Sequence, residues 1–206
     1  MHRAGAHWKI SAIMAKAVRF CRDRQGVAAI EFAFIVPVLL IMYFITMEAS
    51  QAIETSKKVS RIGSMVADLV TQQTTVKKAD LDAIMKIGTA TLQPYNRSTP
   101  TIIITGIQIT DAASPQVKVA WSRKLVGTTY SADALKDSIT TVPATLNIRN
   151  TFLVRVESDL GYKPIITWSA DNSKTLGLTS AFNNISMGET YYLRPRRGPT
   201  VPCSDC

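Results

Sequence analysis

Two places in this sequence carry residue types whose spacing permits chemistry. One is Cys203-Ser204-Asp205-Cys206, two thiols separated by two residues. That spacing suits thiol–disulfide exchange, half of a metal site, or a structural disulfide. Redox thiols usually sit at a helix N-terminus within a folded core. This pair instead follows Arg194-Pro195-Arg196-Arg197-Gly198-Pro199, which favours a disulfide that locks the segment. A metal would need ligands from elsewhere in the chain. The other place is Glu31, the only side chain in the apolar run from Val27 to Met47 that is charged at neutral pH. A carboxylate costs about 2.5–3.5 kcal/mol at the centre of a bilayer and less near its surface, so an acid in such a run marks function.

Other catalytic sets fail on composition. Both histidines, His2 and His7, precede Gly26, which removes Ser–His, Cys–His and histidine–metal chemistry from everything after it. There is no Gly-rich phosphate loop, no Gly-x-Ser-x-Gly elbow and no His-Glu-x-x-His. Asp111, Glu157, Asp159 and Asp171 leave carboxylate-pair hydrolysis formally open, but scattered acids fit a solvated surface better. Neither enzyme activity, nor a cofactor, nor a metal is expected. The formal charge of +9 points away from nucleic acid once it is divided. Six bases before Gly26 (Arg3, Lys9, Lys16, Arg19, Arg22 and Arg24) face Asp23 alone, which places +5 there and only +4 on the rest. A basic flank beside an apolar span orients a chain with its N-terminus in the cytoplasm. Cys203 and Cys206 then lie on the oxidising side, where a disulfide is the default.

The elements that must position these residues follow from periodicity. Ile10, Ile13, Met14, Ala17, Val18 and Cys21 recur at helical spacing, consistent with an amphipathic helix or a plain basic leader. Val27–Met47 is about 21 residues, roughly 31 Å as a helix, enough to cross a hydrocarbon core. Pro37 lies within it and removes the bond to the Ala33 carbonyl, which predicts a kink and neighbours that satisfy the freed group. Beyond Met47, Ala49, Ala52, Ile53, Val59, Ile62, Val66 and Leu69 or Val70 extend the helical pattern to about residue 70. A second helix follows, with Leu81, Ile84, Met85, Ile87 and Leu92 on its apolar side.

From Thr101 the period changes to that of strands. Thr101–Thr110 and Val117–Trp121 read as a hairpin, with a loop at Asp111–Pro115 and strict alternation in the second arm. Residues 122–150 are irregular, with a short helix expected near Ala132–Ser138. Thr151–Ser158 is the clearest strand, Pro164–Trp168 extends the sheet, and Tyr191–Arg194 forms the last strand. The fold class is therefore α+β: a long N-terminal helix, half transmembrane and half amphipathic, packed on a small antiparallel sheet. The expected domains are a cytoplasmic leader at 1–26, a transmembrane helix at 27–47 and a head at 48–206.

Cleavage by a signal peptidase would fall after the apolar run, yet Met47-Glu48-Ala49-Ser50 fits such a site poorly. The better punctuation lies before the run. Gly26-Val27-Ala28-Ala29-Ile30-Glu31-Phe32 resembles the processing site of type IV prepilins, and with Ala33-Phe34-Ile35-Val36-Pro37 it resembles the opening of the TadE-like family. Arg61-Ile62-Gly63, Val119-Ala120-Trp121-Ser122 and Tyr192-Leu193-Arg194-Pro195-Arg196 are weaker echoes of that family. The resemblance implies a minor pilin-like protein, or pseudopilin, of the tight-adherence (Tad) pilus machinery. It implies cutting between Gly26 and Val27 by a prepilin peptidase, with Glu31, Phe32 and Pro37 serving recognition and assembly. The implied partners are that peptidase, other Tad pilins and pseudopilins, an inner-membrane assembly platform and membrane lipid. The implied location is the inner membrane, single-pass, with the head in the periplasm. The alternative is an uncleaved, membrane-anchored scaffold or binding protein.

Overall fold

From Val27 the chain runs as one α-helix, α1, to Thr71. A computed structural model describes residues 26–164 and 185–206. The expected leader helix at Ile10–Cys21, the strand extension at Ile165–Trp168 and Asp171 lie outside them. The chain divides into two units at Met47 and Glu48.

In the second unit, α1 buries Thr55, Val59, Ile62, Gly63, Val66, Ala67 and Val70, a stripe at steps of three and four that follows the helical period. Ile53, expected on that stripe, is 58% exposed. Ala52 packs against the core, and the next position along a helix turns about 100° away from it. Helix α2, Lys78–Ala90, buries Leu81, Ile84, Met85 and Gly88. Ile87 is exposed, and Leu92 is buried from the turn beyond the helix end.

The sheet has five antiparallel strands: β1 (Thr101–Ile109), β2 (Val117–Val126), β3 (Thr129–Ser131), β4 (Phe152–Gly161) and β5 (Ser186–Leu193). Their spatial order is β3-β2-β1-β4-β5, with β1 at the centre between β2 and β4. One face, carrying Ile102, Ile104, Trp121, Leu125, Phe152, Val154 and Val156, meets α1 and α2 in the main core. The other face carries a smaller cluster of Ile107, Ile109, Val117 and Leu153, covered by Val142 and Leu146. The helices thus stack as a layer on one side of the sheet, an α+β arrangement.

Three expectations are corrected. Residues 122–131, expected to be irregular, carry the end of β2 and all of β3. The alternation Val117-Lys118-Val119-Ala120-Trp121 does not place its odd residues on one face. Register shifts between Gly106/Ile107, where Gly106 pairs with Trp121 and Ile107 with Val119, so Ala120 is the extra residue of a bulge. Trp121 joins the helix-side core, while Val117 joins the opposite cluster. Nor do residues 132–138 form a helix. Asp137 takes a positive φ of 63° and donates its N–H to the Val119 carbonyl at 2.8 Å. Val119 donates to Ser138 and Thr140 to Val117, so beyond the single turn that Ser138 closes on Leu135 at 3.2 Å the segment satisfies the open edge of β2. The one short helix in this region is the 3-10 turn Ala144–Leu146.

Candidate assembly site

The first turns of α1 place the residues singled out by the sequence. Pro37 lies inside the helix without ending it, and the β-branched and aromatic residues around it are only middling helix formers in water. The most apolar 18-residue window of α1 has none of its residues buried. Phe32 is 68% and Phe34 73% exposed, and Val38, Leu39, Met42 and Tyr43 are also open. A helix that is apolar on every side and packed on none has its low-energy partner in lipid or in other helices. Among the described residues, it is the one helix long and apolar enough to cross a membrane.

Gly26 precedes this helix. A Cβ placed there would meet nothing within 4 Å, so no packing within the fold requires glycine at that point. Glu31 stands four residues after Val27, one turn along the same face, with exposed Phe32 beside it. Gly26, Val27, Glu31, Phe32 and Pro37 therefore share one continuous, unburied stretch.

At the start of the second unit lies a cluster that sequence reasoning missed. Glu48, only 4% exposed, accepts a short hydrogen bond from the Tyr162 hydroxyl. Tyr162 is 2% exposed and stacks on Tyr95 with ring centroids 5.7 Å apart. The Arg97 guanidinium lies 4.7 Å from the Tyr95 ring centre and donates to the Lys163 carbonyl at 2.8 Å. Burial, followed by the bond to Glu48, pushes the Tyr162 hydroxyl above its ordinary pKa and keeps it a donor. The apolar-to-acid step at Met47-Glu48 was visible in the sequence, but the partner is 114 positions away.

Cys203 and Cys206 are joined in a disulfide with Cα atoms 5.6 Å apart. Their sulfurs and the Asp205 carboxylate lie within 4.8 Å of one another, the spacing of a metal cluster. In the disulfide the sulfurs are not thiolates, the form that ligates metals. The expected surface acids lie apart: Asp111 faces Arg149 at 4.0 Å, Glu157 faces Arg155 at 3.2 Å, and Asp159 accepts from Ser186 at 2.7 Å. Asp82 holds Arg123 through two bonds of 2.8 Å, and that carboxylate raises the guanidinium's already high pKa.

Residues 26–61 match the family model of TadE-like protein. No curated protein and no solved structure matches the chain. The matched segment opens on Gly26, takes in Glu31, Phe32 and Pro37, and runs past Glu48 to Arg61. Together with the single apolar helix, it supports a pilus-related, single-pass membrane protein.

Proposed function

We propose that this chain is a pseudopilin of the Tad pilus system, cut between Gly26 and Val27 by a prepilin peptidase. The observation that carries this reading is the unburied helical stretch that begins at Gly26 and contains the lone carboxylate Glu31. Cutting after Gly26 frees an α-amine on Val27, a cation just outside the apolar run. When helices of neighbouring subunits stack with an axial offset, Glu31 of one meets the amine of the next. A carboxylate that is unfavourable alone in lipid then selects the register of assembly. Neighbouring helices also supply the donors that the Ala33 carbonyl lacks because of Pro37.

On this reading the protein is held in the inner membrane with residues before Gly26 in the cytoplasm and the head in the periplasm. It contributes to pilus initiation, assembly or adhesion through packing and not through catalysis. Its partners are the peptidase, other Tad pilins and pseudopilins, the inner-membrane platform and lipid, with no role for nucleic acid.

The test is intact-mass measurement of the membrane-purified chain from cells with and without the peptidase. An N-terminus at Val27 that depends on the peptidase is expected. An N-terminus at Met1 in peptidase-positive cells would leave the chain an uncleaved single-pass anchor and remove the processing claim. Glu31→Ala is expected to be cut as usual and to lose pili; normal piliation in that variant would refute the register argument.

A further inference from the structure

Helix α2 starts poorly by its own sequence. Its N-cap residue is Lys77, whose side chain offers only donors, and Lys78 follows. Two cations at the positive end of a helix oppose its dipole. Asp80 relieves part of this by accepting the Lys77 N–H at 2.9 Å. A second carboxylate arrives from 127 positions away: Asp205 Oδ1 accepts the Lys78 N–H at 2.8 Å.

The segment that delivers Asp205 is anchored by backbone. Trp121 Nε1 donates to the Val201 carbonyl at 2.8 Å, and Val201 is buried. Val76 donates to Pro202, and Ser204 donates to Val76, both at 3.0 Å, which closes a parallel bridge between Val76 and Cys203. After Cys203 the chain is exposed. Asp205 therefore lies beyond the last backbone anchor, inside the ring that Cys203 and Cys206 close.

We propose that Cys203 and Cys206 are a modification site for a thiol–disulfide oxidoreductase, and that closing their ring sets Asp205 as the cap of α2. Cys206 is exposed and Cys203 half-buried, so the Cys206 thiolate attacks the disulfide of the oxidised partner first. That forms a mixed disulfide and releases one partner thiolate. The Cys203 thiolate then attacks Cys206 Sγ, closes the ring and expels the second partner thiolate. Two electrons pass to the partner, and the two protons lost by the cysteines match the two its thiols take up.

The reverse reaction is slow for a reason visible in the geometry. Asp205 Oδ1 lies 3.5 Å from Cys203 Sγ. A nucleophile that attacks the exposed Cys206 expels negative charge onto the Cys203 sulfur, and in the closed ring the Asp205 carboxylate repels that charge; with the ring open Asp205 is not held there, so closure is not opposed. The pair accepts oxidation and does not pass it on. This inference does not rest on the pilus reading.

The test uses the full chain in detergent with Cys21→Ser, so that only this pair is read. The dithiol form is mixed with an oxidised Cys-x-x-Cys oxidoreductase, and free thiols are counted. Transfer of one disulfide per chain is expected; unreactive thiols, or stoichiometric Zn²⁺ that the dithiol chain retains and that blocks transfer, would overturn the assignment. Amide exchange across Val76–Leu81 is then followed by mass spectrometry. Reduction is expected to speed it about fivefold, the scale of a lost helix cap, and to have no further effect in Asp205→Ala. Equal exchange in both redox forms, or an equal response in Asp205→Ala, would overturn the capping claim. Asp205→Asn keeps an acceptor for Lys78 but removes the charge, so glutathione should reduce its disulfide about threefold faster. An unchanged rate would overturn the electrostatic account.

Discussion

Replacing Tyr162 by phenylalanine removes one oxygen from a site where it has a defined task. Glu48 and Tyr162 are both almost fully buried, and the hydroxyl donates directly to the carboxylate. The substitution keeps the ring, its stacking on Tyr95 and the nearby Arg97 guanidinium. What it loses is a hydrogen bond to a charged group, on the order of 1.5–3 kcal/mol. For a domain the size of the head, at roughly 2–4 °C per kcal/mol, this lowers Tm by roughly 3–12 °C. The assay is thermal unfolding of the full chain in detergent, followed by near-ultraviolet circular dichroism. Tyr95→Phe is the control, because its hydroxyl touches only neutral groups, the Ser98 hydroxyl and the Lys163 N–H, and about 1 kcal/mol is expected there. A Tyr162→Phe protein that melts within 1 °C of wild type would show that Glu48 does not depend on this donor. The pH dependence supplies an independent sign. The folded-state pKa of Tyr162 is raised, so its contribution is complete below the ordinary tyrosine value near 10. Above that value an unfolded chain ionises first, and the contribution declines as pH rises. Wild type should therefore lose stability above pH 10 more steeply than Tyr162→Phe.

Two further outcomes follow from the core. A Cβ on residue 106 would lie 2.5 Å from Trp121 Cε2 and 2.9 Å from Phe152 Cζ, so Gly106→Ala should destabilise the head by about 1–3 kcal/mol, measured by urea unfolding. Trp121→Phe leaves the Val201 carbonyl without its donor and opens space in the core; a loss of about 2–4 kcal/mol is expected, with faster amide exchange across residues 201–206.

What the sequence made legible was local. The long helix, the strand at residues 152–158 and the Gly26–Pro37 stretch each announce themselves within a few turns or a few alternations. The helix-side stripe was read correctly except at Ile53, where an isoleucine one position out of phase looked like a core residue. Ile87 was out of phase in the same way on α2. The remaining misses involve partners from other elements of the chain. Nothing near Glu48 names Tyr162, and nothing near Lys78 names Asp205. The helix expected at Ala132–Ser138 gave way to backbone bonds with β2, because an unpaired strand edge offers more donors and acceptors than one isolated turn can satisfy internally. The bulge at Ala120 was hidden for a related reason: alternation is a rule about one strand, whereas register belongs to two.

That bulge also determines where the head can change. By turning Val117 away from the helices, it gives the far face of the sheet its own small cluster, which shares no described residue with the main core. The chain from residue 132 to 150 runs along the β2 edge and supplies Val142 and Leu146 to that cluster, and it carries the highly exposed Leu135 and Ile139. Substitutions or insertions there disturb a handful of side chains and leave the packing of α1 untouched. Changes on that face can therefore accumulate without altering how α1 meets the sheet.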